Sequence, residues 1–475
     1  MLNDGAMPLI KKRIINMEDV RENKMGTMPT NKLLITMSLP MVVSMIVQAL
    51  YNIVDSIFVA QVDAEQYALA AVSLAFPVQS LMIAVAAGTG VGINAYLSKS
   101  LGMKKYKEVN ATAQNALFLT FLSWLVALIL GLTCVNLFYA FQTPTEEIRR
   151  YGFDYLSVIL MFSIGLFFQI TFERLLQSTG KTIYSMIIQG TGAIINIILD
   201  PILIFGYFGF PALGARGAAI ATVFGQIVAA VLGLIFNLKF NKEINFSIRG
   251  FKPSGRIIRK IYSVGIPSII MQSITSFMTL ALNKICYMFP EDIAKNGVNV
   301  LGVYFKVQSF IFMPVFGLNN GMTPIIAYNY GANHKKRILS TMRLGFVIAV
   351  SILAIGFLVF ETVPELLLGM FTDNEEMINM GVIAFREIAP SFIPAGFSII
   401  IIATLQALGH GVYSMTVSIC RQLFVLVPSA FLLVKIFDTI NIMWISFPIA
   451  EVASLTLCLL FYRSVYNKTI KALND

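Results

Sequence analysis

The chain has 475 residues, of which 57% are hydrophobic and 13% charged, and its mean hydropathy is +0.76. A soluble domain carries about 25% charged residues, so the composition excludes one. Stretches of about 20 apolar residues, each long enough to cross a bilayer as a helix, recur along the whole sequence. The net charge of +10 raises nucleic acid as a partner, but its distribution follows membrane topology and excludes that reading.

Taken in order, residues 1–31 form a polar tail without the early apolar core of a cleavable signal peptide. Twelve spans are predicted after it, at 33–62, 67–97, 112–140, 155–177, 183–207, 216–238, 258–289, 298–328, 339–361, 384–408, 412–434 and 442–463. Loops on one side collect the basic residues: KKR at 11–13, Lys104, Lys105, Lys107, the 239–260 segment and KKR at 335–337. Excess Lys and Arg mark the cytoplasmic side, which places both termini there and the protein in the cell's inner (cytoplasmic) membrane. All four cysteines lie inside spans and both histidines at loops. That leaves no disulfide framework and little material for a metal centre or a His-based active site. The expectation is not an enzyme but an all-α polytopic membrane protein without a cofactor.

An internal repeat divides the spans. FPVQS at 76–80 matches FKVQS at 305–309, and the same offset of 229 residues pairs QSTGKTIYSM (177–186) with QALGHGVYSM (406–415). Gly88, Gly92 and Gly102 align with Gly317, Gly321 and Gly331. Six spans per repeat make the halves parallel, related by an axis along the membrane normal, and such pairs enclose a cavity that opens alternately to either side. The expected organisation is a tail (1–31), an N-lobe (32–238), a linker (239–257), a C-lobe (258–466) and a tail (467–475).

Polar residues inside the spans are functional hypotheses, because a charge in hydrocarbon costs several kcal/mol. Span one carries Ser44, Gln48, Asn52 and Asp55 at helical spacing. Span four carries Glu173 and Arg174 near its inner end, where long side chains snorkel to the interface. In span five, NIILDPILIF places Asn196 and Asp200 four apart on one face, extended by Gln189 and Gly192. Pro201 removes the donor for the Ile197 carbonyl and predicts a kink. A carboxylate, an amide oxygen and a freed carbonyl at one depth suit Na⁺ or a held proton. Span seven offers Gln272, Ser276, Thr279 and Asn283 but no carboxylate, and Lys284 near its outer end snorkels. Lys306, in span eight, reads either as a salt bridge to Glu451 or Glu387 or as a charge responding to substrate. Glu387 reads as a local pair with Arg386. Tyr51, Phe76, Phe172, Met271 and Met278 are candidates for a cavity wall, since flexible, polarizable side chains suit promiscuous binding, and Gln272, Ser276, Asn283 and Lys306 are its polar candidates.

The stretches YNIVDSIFVAQV (51–62), LSKSLGMKKYKE, AYNYGANHKKR, QSTGK and INIILDPILIF together resemble the MATE (multidrug and toxic compound extrusion) transporters over nearly the whole chain, with spacing nearest a bacterial MepA-like branch. The resemblance implies a monomeric secondary antiporter that exports small lipophilic cations while H⁺ or Na⁺ enters. It implies that Asp55, Asn196 and Asp200 form the coupling site, the Na⁺ site if sodium is the ion, with Thr222 as a further polar ligand. The lack of a span-seven carboxylate departs from the NorM-like branch and its acidic C-lobe site. The rival is a lipid or lipid-linked oligosaccharide flippase of the same superfamily, which uses a cationic cavity.

Overall fold

The computed structural model describes residues 22–62, 67–246 and 251–473. The KKR run at 11–13, most of the N-terminal tail, linker positions 247–250 and residues 474–475 lie outside them. Every regular element among the described residues is helical, as hydrocarbon requires of a chain that must satisfy its own backbone groups.

Spans one to three are Thr30–Ala60, Tyr67–Gly102 and Tyr106–Thr133. The third ends at Thr133, earlier than the expected 140, and after Cys134 a separate helix Val135–Gln142 follows. Span four starts earlier than expected and is broken: Glu146–Met161 and Ile164–Ser178 meet at 43°. At the break Ser163 Oγ donates to the Leu160 carbonyl at 2.8 Å, a side-chain bond that competes with the helical ladder. Spans five and six are Thr182–Phe205 and Ala215–Phe240. Span five runs unbroken through Pro201, so the residue is accommodated within the helix, which ends instead at Gly206 with a left-handed φ of 78°. Spans seven to nine are Gly255–Cys286, Glu291–Gly331 and Lys335–Thr362. Span ten joins Glu375–Ile388 to Phe392–Ala407. Span eleven passes from Gly411–Ile419 through a π-helical turn, Cys420–Leu426, into Val427–Phe437. Span twelve is Ser446–Val465. Among the described residues, eleven helices are long and apolar enough to cross a membrane, twelve with the bent fourth.

The repeat recurs in backbone detail. Lys104 and Asn333 are left-handed at equivalent positions, as are Gly180 and Gly409 in the QSTGK and QALGH turns. The halves meet along two matching seams, span two against span seven and span eight against span one, with spans two and eight also in contact. On the side of Met25 and Gly26 the helices touch backbone to backbone. A Cβ on Gly102 would lie 2.0 Å from the Tyr328 carbonyl oxygen, and one on Gly331 would lie 2.0 Å from that of Lys99. These are the same contact in the two repeats. Small residues let membrane helices approach this closely, and here they bring the two halves into backbone contact on that side.

Segments leading into spans one and seven cross the same seam. Met25 is wholly buried. Its carbonyl accepts from Asn329 Nδ2 at 3.1 Å and Arg337 Nη2 at 3.0 Å, and Arg337 also reaches the Met28 carbonyl at 2.7 Å. Asn23 Nδ2 reaches back to the Thr179 carbonyl at 3.0 Å and to Glu243 at 3.2 Å, and Glu243 pairs with Lys181. The segment before span seven docks on span three: the Asn245 amide donates to Asn110 at 2.8 Å and the Ser254 amide to Asn115 at 2.9 Å, and in the first turn of span seven Arg256 donates to Glu108 at 3.4 Å.

Candidate ion site and central cavity

Spans one and five bring their polar faces together as their spacing implies. Gln189 Nε2 donates to Gln48 Oε1 at 2.8 Å, and Asp55 lies within electrostatic reach of Asp200, with Tyr51 near both. Asp200 is wholly buried and Asn196 is 3% exposed. Span six joins them because it approaches span five closely: a Cβ on Gly225 would fall 2.7 Å from the Gly192 carbonyl oxygen. One turn away, Asn196 Nδ2 donates both to Asp200 Oδ1 at 3.3 Å and to Thr222 Oγ1 at 3.2 Å.

The acceptors in this group exceed the donors. Asp55 Oδ1, Asp200 Oδ2, Asn196 Oδ1 and Ser44 Oγ are buried without a partner. An unsatisfied buried polar atom costs about 1–3 kcal/mol, more when charged, so the group is suited to a small cation or a proton. Asn52 is exposed and stands apart from it. Among the described residues no cluster of three or more His, Cys, Asp or Glu could hold a metal ion. A site here would rest on two carboxylates with neutral oxygens.

A cavity of about 550 Å³ opens between the two halves. Gln48, Tyr51, Asn196 and Thr222 reach its wall, as do Met271 and Gln272 from span seven. Asp55 and Asp200 stand behind that wall, with Asn196 and Thr222 common to both sites. The other expected wall residues are elsewhere. Phe76 is 63% exposed, Phe172 and Met278 are packed in the core, and Ser276 and Asn283 do not line the cavity. Lys306 is also absent from the cavity wall and faces outward, its Nζ 5.9 Å from the Phe371 ring centroid. Neither expected acid pairs with it. Glu451 pairs with Arg421, and Glu387 Oε2 is buried without a partner rather than bridged to Arg386.

Glu173 and Arg174 do not snorkel. Both line the cavity, because the helix after the break turns Gln169, Glu173 and Gln177 onto one inward face. Gln169 Nε2 donates to Glu173 Oε1 at 3.0 Å. Arg174 Nη1 donates to Gln177 Oε1 at 2.9 Å and, across the seam, to Asn320 Oδ1 at 3.0 Å. The four-residue spacing of Gln169, Glu173 and Gln177 was the sequence signal for this face. Arg421, in the π-helical turn, also reaches the cavity, at the kind of irregularity that recurs at functional sites.

Two parallel six-span repeats around one shared cavity, with a polar carboxylate site behind its wall, define a polytopic membrane transporter. The chain belongs to the MatE family, whose model matches it twice, at residues 40–202 and 267–432, once in each repeat. It is 25% identical to the multidrug export protein MepA of Staphylococcus haemolyticus, over 92% of this chain and 94% of that one. Identity to the multidrug export protein MepA of Staphylococcus aureus strain MSSA476 is also 25%, over 89% and 91% of the two chains. The fold matches a solved outward-facing conformation of a multidrug resistance MATE family transporter of the MOP superfamily. That match has a TM-score of 0.88 at 23% identity, over 95% of this chain and 99% of that one. It also matches a MOP superfamily transporter from Pyrococcus furiosus described as having a binding pocket of reverse polarity, with a TM-score of 0.85 at 23% identity, over 95% and 99%.

Proposed function

We propose that the protein is a secondary multidrug efflux antiporter, exporting small lipophilic cations in exchange for H⁺ or Na⁺ held at Asp55, Asn196 and Asp200. The observation that carries this reading is the set of unpartnered buried oxygens on those three residues, next to a cavity that shares Asn196 and Thr222 with them. Burial favours the neutral form of a carboxylate and a nearby cation the ionised form. A proton or sodium ion on the pair therefore changes the charge beside the substrate space, and the amide of Asn196 transmits the change to the wall. The export of drugs by relatives of this length and arrangement supports the substrate class.

The lobes at 32–238 and 258–466 are the bodies that rock about the cavity, joined by the linker at 239–257, and the protein acts as a monomer. Both chain ends are cytoplasmic in this reading, so the closed seam faces the cytoplasm and the cavity is poised to release outward. The test is dye efflux from proteoliposomes driven separately by imposed proton and sodium gradients, with Asp55→Asn and Asp200→Asn beside the wild type. Each variant is expected to insert and to lose gradient-driven efflux. Wild-type efflux by both variants would overturn the assignment, and preference for an anionic lipid analogue over the dye would put the flippase reading first.

A further inference from the structure

The cavity wall contains one carboxylate among the described residues, and it is neither coupling aspartate: it is Glu173. Its Oε1 accepts only the neutral amide of Gln169. Its Oε2 has no partner and is not among the sealed polar atoms, so it faces the open space. No Lys or Arg among the described residues approaches it within ion-pair distance. Arg174, next in sequence, gives one nitrogen to Gln177 and Asn320, from the two halves, and forms no ion pair with it. Arg421 is occupied by Glu451. The wall thus presents one carboxylate without an ion-pair partner, beside a guanidinium held by two amide oxygens.

From this we infer that Glu173 is the counter-charge for a single positive charge on the exported molecule, and that clamped Arg174 sets the limit at one. The inference rests on the efflux reading above and deepens it by separating substrate recognition from ion coupling. A cation seated on Glu173 gains a contact in a space where water is scarce and attraction is strengthened. A second positive charge on the same molecule finds no second free carboxylate and meets Arg174 instead. The experiment measures equilibrium binding to the purified full chain of three probes: ethidium (one charge), propidium (the same ring system with two) and Nile red (uncharged). Wild type is expected to prefer ethidium to propidium. Glu173→Gln should weaken ethidium about tenfold and leave Nile red within about twofold, Glu173→Asp should retain most of the ethidium affinity, and Arg174→Gln should erode the discrimination against propidium. Equal ethidium binding by wild type and Glu173→Gln, or equal loss of Nile red, overturns the anchor while leaving efflux intact. Failure of wild type to bind any probe overturns the efflux reading itself.

The paired leading segments carry a second inference independently. Arg337, which holds the segment before span one, and Glu108, which pairs with Arg256 in the first turn of span seven beside the segment that Asn110 and Asn115 hold, occupy the same position of the two repeats. Each half therefore clasps the other's leading segment across the closed seam. The geometry points to a reciprocal latch that must release before the seam opens. Spin labels at Lys107 and His334, at the tips of spans three and nine, would report the separation of the halves. Arg337→Ala is expected to raise the ratio of long to short distances at least about tenfold, Glu108→Ala less, since its pair is exposed and weak. An unchanged distance distribution in both variants overturns the latch.

Discussion

Adding one methyl group at the closed seam tests whether that seam governs which side opens. In Gly331→Ala the new Cβ would stand 2.0 Å from the Lys99 carbonyl oxygen and 2.9 Å from its carbon, whereas an ordinary carbon–oxygen contact is about 3.3–3.6 Å. Spans two and eight must part by more than about 1 Å, and the obstructing atom is backbone, so no rotamer change relieves it. Overpacking of this kind costs about 1–3 kcal/mol. Alanine's helix-propensity advantage over glycine is the same with the seam closed or apart and cancels, so the steric term decides. The closed state should lose about 1–3 kcal/mol relative to states with the seam apart, about a fivefold or larger shift in the equilibrium. Hydrogen exchange in nanodiscs, read on peptides covering 96–102 and 325–331, should accelerate by that factor. Gly102→Ala should behave alike, because its Cβ meets the Tyr328 oxygen at the same 2.0 Å. Gly190→Ala, whose Cβ meets nothing within 4 Å, should leave exchange unchanged or slower. If Gly331→Ala follows Gly190→Ala, the seam is not rigid and the reasoning fails.

Arg421→Ala should strand Glu451, whose side chain is 10% exposed, and lower stability by about 3 kcal/mol, whereas Arg421→Leu with Glu451→Leu should cost far less; thermal unfolding in detergent distinguishes them. Thr222→Val removes one acceptor from Asn196 and should weaken ion-dependent efflux modestly, by the equivalent of about 1 kcal/mol. Asn196→Ala removes both contacts and should weaken it several times more, read as the ion concentration giving half-maximal rate. Pro201→Ala gives the Ile197 carbonyl back its helical donor and should loosen ion dependence more than it lowers expression, checked by comparing efflux with and without the gradient at equal protein.

The polar cluster on spans one and five was legible because its signal is local. Asn196 and Asp200 share a helical face by spacing alone, and two carboxylates in long apolar runs leave little other interpretation. The repeat was legible for a similar reason, since identical turns at a fixed offset fold identically, down to left-handed Gly180 and Gly409. What spacing could not supply was the direction each face points relative to the other half. Phe76 and Lys306 have the chemistry of a cavity wall but turn outward, and Glu173 was assigned to the interface by its depth. The break at Phe162 and Ser163 re-aims the second half of span four, and counting from the helix end does not register such a rotation. Arg421 was hidden by the same limit, because its partner lies on another span thirty residues away.

The exchanged leading segments also bear on how such a chain could arise. Two copies of a six-span half, each lending its leading segment to the other, constitute a swapped homodimer with a two-fold axis along the membrane normal, and swapping is a low-cost route to dimers. Joining the two copies in one chain would make such a dimer permanent and free the copies to diverge. The clasping position shows the divergence in miniature: arginine at 337 gripping carbonyls, glutamate at 108 gripping an arginine. A half expressed alone would present an empty clasp and an unheld segment, the two ends of a bond that only a second half can close.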